Sequence, residues 1–182
     1  MQTAQHAEHS KILVRPCDPT DIPAITAIYG HAVRTGKASF ELEPPTADEM
    51  TKRRQTLLAK GYPYVVAEIG EEVVGYAYAN AYRPRLAYAG TIENSVYVRD
   101  GFHGHGIGGA LMRRLIAESE RLGFRQMVAV IGDSANTASI RLHESLGFQH
   151  VGTLRSVGWK HQCWLDTVMM QLPIGAGDTT PR

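Results

Sequence analysis

The stretch Val96-Tyr97-Val98-Arg99-Asp100-Gly101-Phe102-His103-Gly104-His105-Gly106-Ile107-Gly108-Gly109-Ala110-Leu111 decides the fold. Its start is β-rich and reads as the end of a strand. From Ile107 onward, Ile107, Leu111 and Leu115 fall at i, i+4 and i+8, the spacing of one helical face. Glycines at 104, 106, 108 and 109 stand between the two. Without Cβ atoms they let a ligand approach the backbone closely. The first helical turn leaves N–H groups unpaired at the positive end of the dipole. A strand that runs through such a turn into a helix forms a phosphate cradle. The plainer alternative is a tight turn that needs glycine for steric reasons alone.

Two familiar phosphate loops fit poorly. A P-loop requires Gly-Lys-Ser/Thr where this chain has Gly108-Gly109-Ala110. The dinucleotide fingerprint G-x-G-x-x-G is literally present at Gly104, Gly106 and Gly109, and Asp133 sits where a ribose-binding acid belongs. That fingerprint normally opens a fold of about six parallel strands, and too little chain follows it here.

Working outward, Ile12-Leu13-Val14 reads as a first strand. Asp18-Pro19-Thr20-Asp21 opens a helix carrying Ile22, Ile25, Ile28, Tyr29, Ala32 and Val33. Thr46-Ala47-Asp48-Glu49 is a capping-box pattern for a second helix to about Lys60. Tyr64 to Ile69 and Val73 to Ala79 form an expected antiparallel hairpin across Gly70-Glu71-Glu72, and Thr91 to Val98 is the next strand. After the glycine turn come a helix from Ile107 to Leu122, a strand over 127–131, a helix over 135–146 and two strands, 148–157 and 163–172. The order β-α-α-β-β-β-α-β-α-β-β implies an α/β protein, a mixed sheet with helices on its faces. Residues 11–172 read as one domain between flexible tails, 1–10 and 173–182.

Composition sets the class. Of 182 residues, 43% are hydrophobic and 20% charged, so a packed core is expected rather than disorder. A net charge of +1 gives no basic field for nucleic acid. Cys17 and Cys163 are too few for a disulfide framework and suit a reducing cytoplasm. No apolar run reaches the roughly 20 residues that span a bilayer. No metal is expected: His143-Glu144 lacks the second His of H-E-x-x-H, and His103 and His105 have no Cys nearby.

The residues also resemble a family. His103-x-x-Gly106-x-Gly108 is similar to the R/Q-x-x-G-x-G/A pyrophosphate loop of the GNAT superfamily of N-acetyltransferases, with His103 in place of Arg or Gln. The run Asn136 to Phe148 resembles that family's second signature, with His143 at its usual Tyr position. Thr91 to Val98, Arg141-Leu142-His143-Glu144, Gly158-Trp159-Lys160-His161 and Trp164-Leu165-Asp166 look like the phosphinothricin and methionine sulfoximine N-acetyltransferase branch.

The resemblance implies a mostly antiparallel GNAT sheet over residues 11 to 172, acetyl-CoA as donor and a small amino acid analogue as acceptor. It also implies direct transfer and a homodimer. An acyl-CoA-binding module without catalysis, or transfer to a peptide, protein or polyamine amine, are the rival readings. The cofactor would lie along Val96, Tyr97 and Val98, on the loop His103, Gly104, His105, Gly106, Ile107, Gly108 and Gly109, and against Asn136.

A protonated amine cannot attack a thioester, so a base is needed. Glu93 is the only carboxylate on its strand, and the resemblance makes it that base; pairing with Arg83 or Arg85 is the alternative. His143 shares a helical face with Asn136 and becomes a candidate acid or second base; packing is the plainer role. Phe40, Arg83, Pro84, Arg85, Glu93, Asn94 and Ser95 are the candidate acceptor residues. An arginine fork suits an acceptor carboxylate or phosphinate. Exposed-loop arginines and core packing for Phe40 are the alternatives.

Overall fold

A computed structural model describes residues 11–181. The strands are β1 (Ile12–Pro16), β2 (Tyr64–Ile69), β3 (Glu72–Ala81), β4 (Thr91–Val98), β5 (Gln126–Gly132), β6 (Gln149–Lys160) and β7 (Cys163–Pro173). The helices are α1 (Ile22–Thr35), α2 (Ala47–Ala59), α3 (Ile107–Arg121) and α4 (Thr137–Ser145). The sheet runs β1-β2-β3-β4-β5-β7-β6. Among the described residues only β4 and β5 pair in parallel, because α3 carries the chain back between them; the other neighbours are antiparallel.

Strand alternation divides the core into two layers. Ile25, Tyr29, Val33 and Leu57 of α1 and α2 meet Tyr64, Val66 and Tyr76 on one face. Ile107, Leu111, Met112 and Leu115 of α3 meet Ala77, Ile92, Met127 and Met170 on the other. The residues that the i, i+4, i+8 spacing singled out are at most 1% exposed. Truncating Leu111 to Ala would cost about 2–5 kcal/mol at such a site.

Element ends differ from the sequence reading for local reasons. Asp18 and Asp21 form a capping box around a single 3-10 turn, Pro19–Asp21, and α1 begins only after it. Thr46 caps α2 by accepting from Glu49 N–H, but the Glu49 carboxylate turns to Arg53. The helix expected from 135 starts at Thr137. Asp133, at φ 68°, accepts from Ala135 N–H and builds the turn that precedes it, so this carboxylate has a structural task instead of a ribose to bind.

The expected tail 173–182 is docked as far as described. Ile174 is 1% exposed, Gly175 N–H donates to Glu120, and Arg125 donates to Gly177 O, Thr180 Oγ1 and Pro181 O. The expected tail 1–10 lies outside the described residues. Among the described residues, no helix is long and apolar enough to cross a membrane.

Candidate active site

The β4–β5 ladder stops early. It runs from Thr91↔Gln126 to Asn94↔Ala129, after which β4 stays with β3 as far as Val98↔Gly75 and β5 stays with β7 as far as Gly132↔Thr167. The two strands therefore part, and a gap opens between them. Arg99 N–H donates to Val74 O and Tyr82 N–H to Thr91 O, so odd-numbered β4 residues face β3. Gly90 O accepts from Arg125 and Gln126, so even-numbered ones face β5. Beyond Asn94 these are Val96 and Val98, whose amides point across the gap with no strand to meet them. Tyr97 N–H, expected to share that role, belongs to the β3 ladder opposite Tyr76.

The gap continues into a cavity of about 490 Å³ that ends at the glycine turn. His103, Gly104, Gly106, Ile107, Gly108 and Gly109 line it, together with Val96, Tyr97, Val98 and Asn136. His105 does not. Gly104 and Gly106 have φ of 82° and 81°, in the left-handed region that favours glycine. Gly106 is the N-cap of α3 and supplies no side chain to it, whereas Thr46 and Asn136 cap α2 and α4 with their own oxygens. The first helical bond of α3 is Ala110 N–H to Gly106 O, so the amides of Ile107, Gly108 and Gly109 stay available to an anion. Gly108 has a steric task as well: a Cβ there would press on Leu142 of α4 at 3.2 Å. A long ligand that is anionic at one end and hydrogen-bonding at the other fits these features.

Glu93 and Asn94 are neighbours on β4 and so face opposite sides of the sheet. Glu93 is half-buried, and burial pushes its pKa above the usual carboxylate range while Arg83 opposes the shift. The Arg83 guanidinium also lies over the Tyr82 ring at 5.0 Å. Ser95 lines the gap. Asn94 was expected beside them on the acceptor side. It points instead toward α3 and α4, where Nδ2 is 2.9 Å from His143 Nε2 and 3.6 Å from Met112 Sδ.

His143 is 2% exposed and both of its ring nitrogens are engaged. Nδ1 is 2.8 Å from Ser139 O, a pure acceptor, so Nδ1 carries the proton and Nε2 accepts from Asn94. Burial lowers the His143 pKa, and the Ser139 carbonyl opposes this only in part. A neutral imidazole that orients Asn94 is the arrangement observed. A direct proton donor would need a free N–H, which this ring lacks. Asn94 Oδ1 is buried without a partner, beside the gap that Asn94, Ser139 and His143 line.

The loop over the gap was not legible beforehand. Ala38 lines both the gap and the long cavity. Lys160, 3% exposed, donates to Ser39 O at 2.7 Å, and His161 Nε2 lies 3.2 Å from Gly36 O. Gly132 and Gly158 leave room for this loop, since a Cβ at either would collide with the Phe40 ring. Phe40 thus packs against β5 and β6 while staying 38% exposed. Pro84 and Arg85 are exposed on the connection between β3 and β4. Neither cysteine suits nucleophilic work. Burial pushes the Cys17 thiol up to about 11 against the pull of Arg54, and Cys163 Sγ donates to Lys160 O.

Known proteins are similar to this chain. The model of the Acetyltransferase (GNAT) family matches residues 27–148. A phosphinothricin N-acetyltransferase of Alcaligenes faecalis is 52% identical over 92% of this chain and 85% of its own. An L-methionine sulfoximine/L-methionine sulfone acetyltransferase of Pseudomonas aeruginosa is 38% identical over 92% and 98%. A phosphinothricin acetyltransferase of Sinorhizobium meliloti, solved in complex with acetyl-CoA, superposes with a TM-score of 0.91. Its identity is 44%, over 93% of this chain and 92% of that one. The parted strands, the uncapped helix and these likenesses agree: the chain belongs to the GNAT family of acetyltransferases.

Proposed function

We propose that this protein transfers the acetyl group of acetyl-CoA to the α-amine of a small amino acid analogue of the phosphinothricin or methionine sulfoximine type. One observation carries the reading. A half-buried carboxylate of raised pKa, Glu93, stands on the strand whose next residues turn two free amides into the gap. Relatives named for these two acceptors support the choice of substrate.

Acetyl-CoA supplies a thioester carbonyl and a thiol leaving group. Ile107, Gly108 and Gly109 N–H groups and the positive end of α3 hold its diphosphate, and His103 adds a hydrogen-bond donor. The Val96 and Val98 amides pair with the pantetheine arm and stabilise negative charge as it develops on the carbonyl oxygen. Glu93 takes the proton from the acceptor ammonium, directly or through water, and frees the lone pair. The amine nitrogen then bonds to the carbonyl carbon, the C–S bond breaks, and the proton the nitrogen sheds on becoming an amide passes through water to the sulfur, which leaves as the CoA thiol. Arg83 and Arg85 offer forks to the acceptor's carboxylate or phosphinate, with Phe40 covering it.

The same reading carries a cytoplasmic setting and a homodimer. Edge strand β6 and its neighbour β7 support a dimer, because Val151, Leu154, Trp159 and Trp164 are each more than half exposed there.

A thiol-release assay tests the proposal. Phosphinothricin or methionine sulfoximine is expected to drive CoA release from acetyl-CoA well above spermidine or a peptide amine. Preference for either of the latter would overturn the acceptor. Tight acetyl-CoA binding with no turnover on any amine would make the protein a binding module.

A further inference from the structure

The loop over the gap has no main-chain support of its own. Among the described residues, no backbone–backbone hydrogen bond involves residues 37–45. The loop nevertheless runs tight across the end of β5: a Cβ on Gly132 would lie 2.5 Å from Ala38 O and 2.9 Å from Lys37 O. Ala38 lines both the gap and the long cavity, and Phe40, two residues on, packs against Gly158. A segment without a ladder keeps one position only where side chains from other elements hold it.

Ser39, between these two residues, takes two such holds. Its hydroxyl is 2.9 Å from Tyr29 Oη of α1, and its carbonyl accepts from Lys160 Nζ at 2.7 Å. Lys160 is the last residue of β6. His161 and Gln162, at φ 48° and 57°, alone separate it from β7 and make the two-residue turn of a tight hairpin. Cys163 stands opposite Lys160 and its Sγ donates to Lys160 O. The ammonium is thus presented on a stiff arm. It is 3% exposed, and burial lowers its pKa while Glu41 opposes the shift. An apolar side chain of the same length would serve packing as well or better. What it would lack is a charged donor for one loop carbonyl.

We propose that Lys160 is a positioning residue for acetyl transfer: through Ser39 O it fixes Ala38 over the gap and Phe40 over the acceptor. The roles of the gap and of Phe40 rest on the transfer reading above. Lys160 does not line the gap itself. It acts by holding the loop closed, so that thioester and amine meet in one geometry. A misplacement of about 1 Å in such an arrangement costs about 10²-fold in rate.

Two variants test this. Lys160→Met keeps the length of the side chain and removes the donor, whereas Lys160→Arg keeps a charged donor. With phosphinothricin, kcat/KM of the Met variant should fall about 10²-fold, mostly in kcat, and the Arg variant should recover most of the loss. Calorimetric acetyl-CoA affinity should change about threefold or less, because the α3 amides that hold the diphosphate lie outside the loop. The Met variant should melt close to the parent. Trypsin reads the loop without any substrate. Cleavage after the exposed Lys37, identified by mass, should be about tenfold faster in the Met variant and near the parent's rate in the Arg variant. A parental kcat/KM or a parental cleavage rate in the Met variant would each overturn the proposal. So would an Arg variant no better than Met, or a rate loss matched by an equal loss of acetyl-CoA affinity. If both variants fail to fold, Lys160 is a core residue and the proposal falls. A parent inactive on phosphinothricin would refute the acceptor instead, and the trypsin cut would then decide for Lys160 by itself.

Discussion

His143 Nε2 lies 2.9 Å from Asn94 Nδ2, joining α4 to β4 across 49 residues of chain. The contact fixes which face of the Asn94 amide meets the gap. While His143 is neutral, Nδ2 is held by the ring and Oδ1 is left without a partner. The imidazole is therefore a positioning residue for Asn94. His143→Phe keeps the shape of the ring and its stacking edge toward Phe148 but removes the acceptor. It should cost about 1–3 kcal/mol in urea unfolding by stranding the Asn94 amide. It should also lower kcat while leaving the shape of the pH profile unchanged. Loss of a titrating limb in that profile would restore His143 as the proton donor.

The His143 shift also has a sign for stability. Its folded pKa is lowered, so the unfolded chain takes up a proton first as pH falls. Stability should decline from about pH 6.5 downward, until the folded pKa is passed, and His143→Phe should flatten that part of the curve. A variant with the parent's slope in that window would show that another group is responsible.

Glu93 predicts the acid side of the rate profile. Its pKa is raised by burial, with Arg83 pulling the other way. The basic form is lost as pH falls through that raised value, so kcat/KM should drop there. Arg83→Met removes the opposing charge and should move the limb to higher pH; a limb that moves lower would refute the assignment. Glu93→Gln should lower kcat about 10²-fold or more with acetyl-CoA affinity nearly intact. Collapse of acetyl-CoA binding in that variant would place Glu93 in the cofactor site instead.

Much of this was legible in the chain because it rests on local periodicity. Ile107, Leu111 and Leu115 announced α3 and its buried face, and four glycines marked a helix start that has no side-chain cap. The resemblance, however, grouped Asn94 with Glu93 and Ser95, while the strand's period of two sends Asn94 to the other face. Tyr97 was counted among the free amides for a similar reason: the parity of β4 becomes visible only once its two neighbours are known. Lys160 and Ser39 are 121 residues apart, and no spacing rule connects them. The docking of residues 174–181 depends on Arg125 and Glu120, which also lie far away in sequence.

Asp21 offers a test of the scaffold away from the site. It is 4% exposed, accepts from both Arg15 Nη atoms at 2.9 Å, and takes Asp18 N–H at 2.7 Å. Burial pushes its carboxyl up, but the Arg15 and Asp18 hydrogen bonds more than offset this and hold the pKa low. A depressed carboxyl contributes stability above the unfolded value of about 3.9 and loses it as pH falls toward the folded one. Asp21→Asn should therefore cost about 2 kcal/mol near neutral pH, discounted because Arg15 is partly exposed and keeps Glu68. The deficit should shrink in acid; a deficit that is the same at pH 3 and pH 7 would show that the charge is not its source.

Gly106 separates backbone strain from ligand blockade. A Cβ at this position would meet nothing within 4 Å, so a larger residue meets no packing obstacle in the protein itself. Two penalties remain. The first is the left-handed backbone at φ 81°, worth about 1–2 kcal/mol to any L side chain and readable as a lower melting temperature. The second is the space above the α3 amides, which a ligand's diphosphate would have to share. Gly106→Ala should lose about that much stability and Gly106→Val somewhat more, because a β-branched side chain is strained further at this φ, while acetyl-CoA affinity falls much further for Val than the stability difference alone would give. Equal affinities in the two variants, measured by calorimetry, would show that the diphosphate does not rest on this turn.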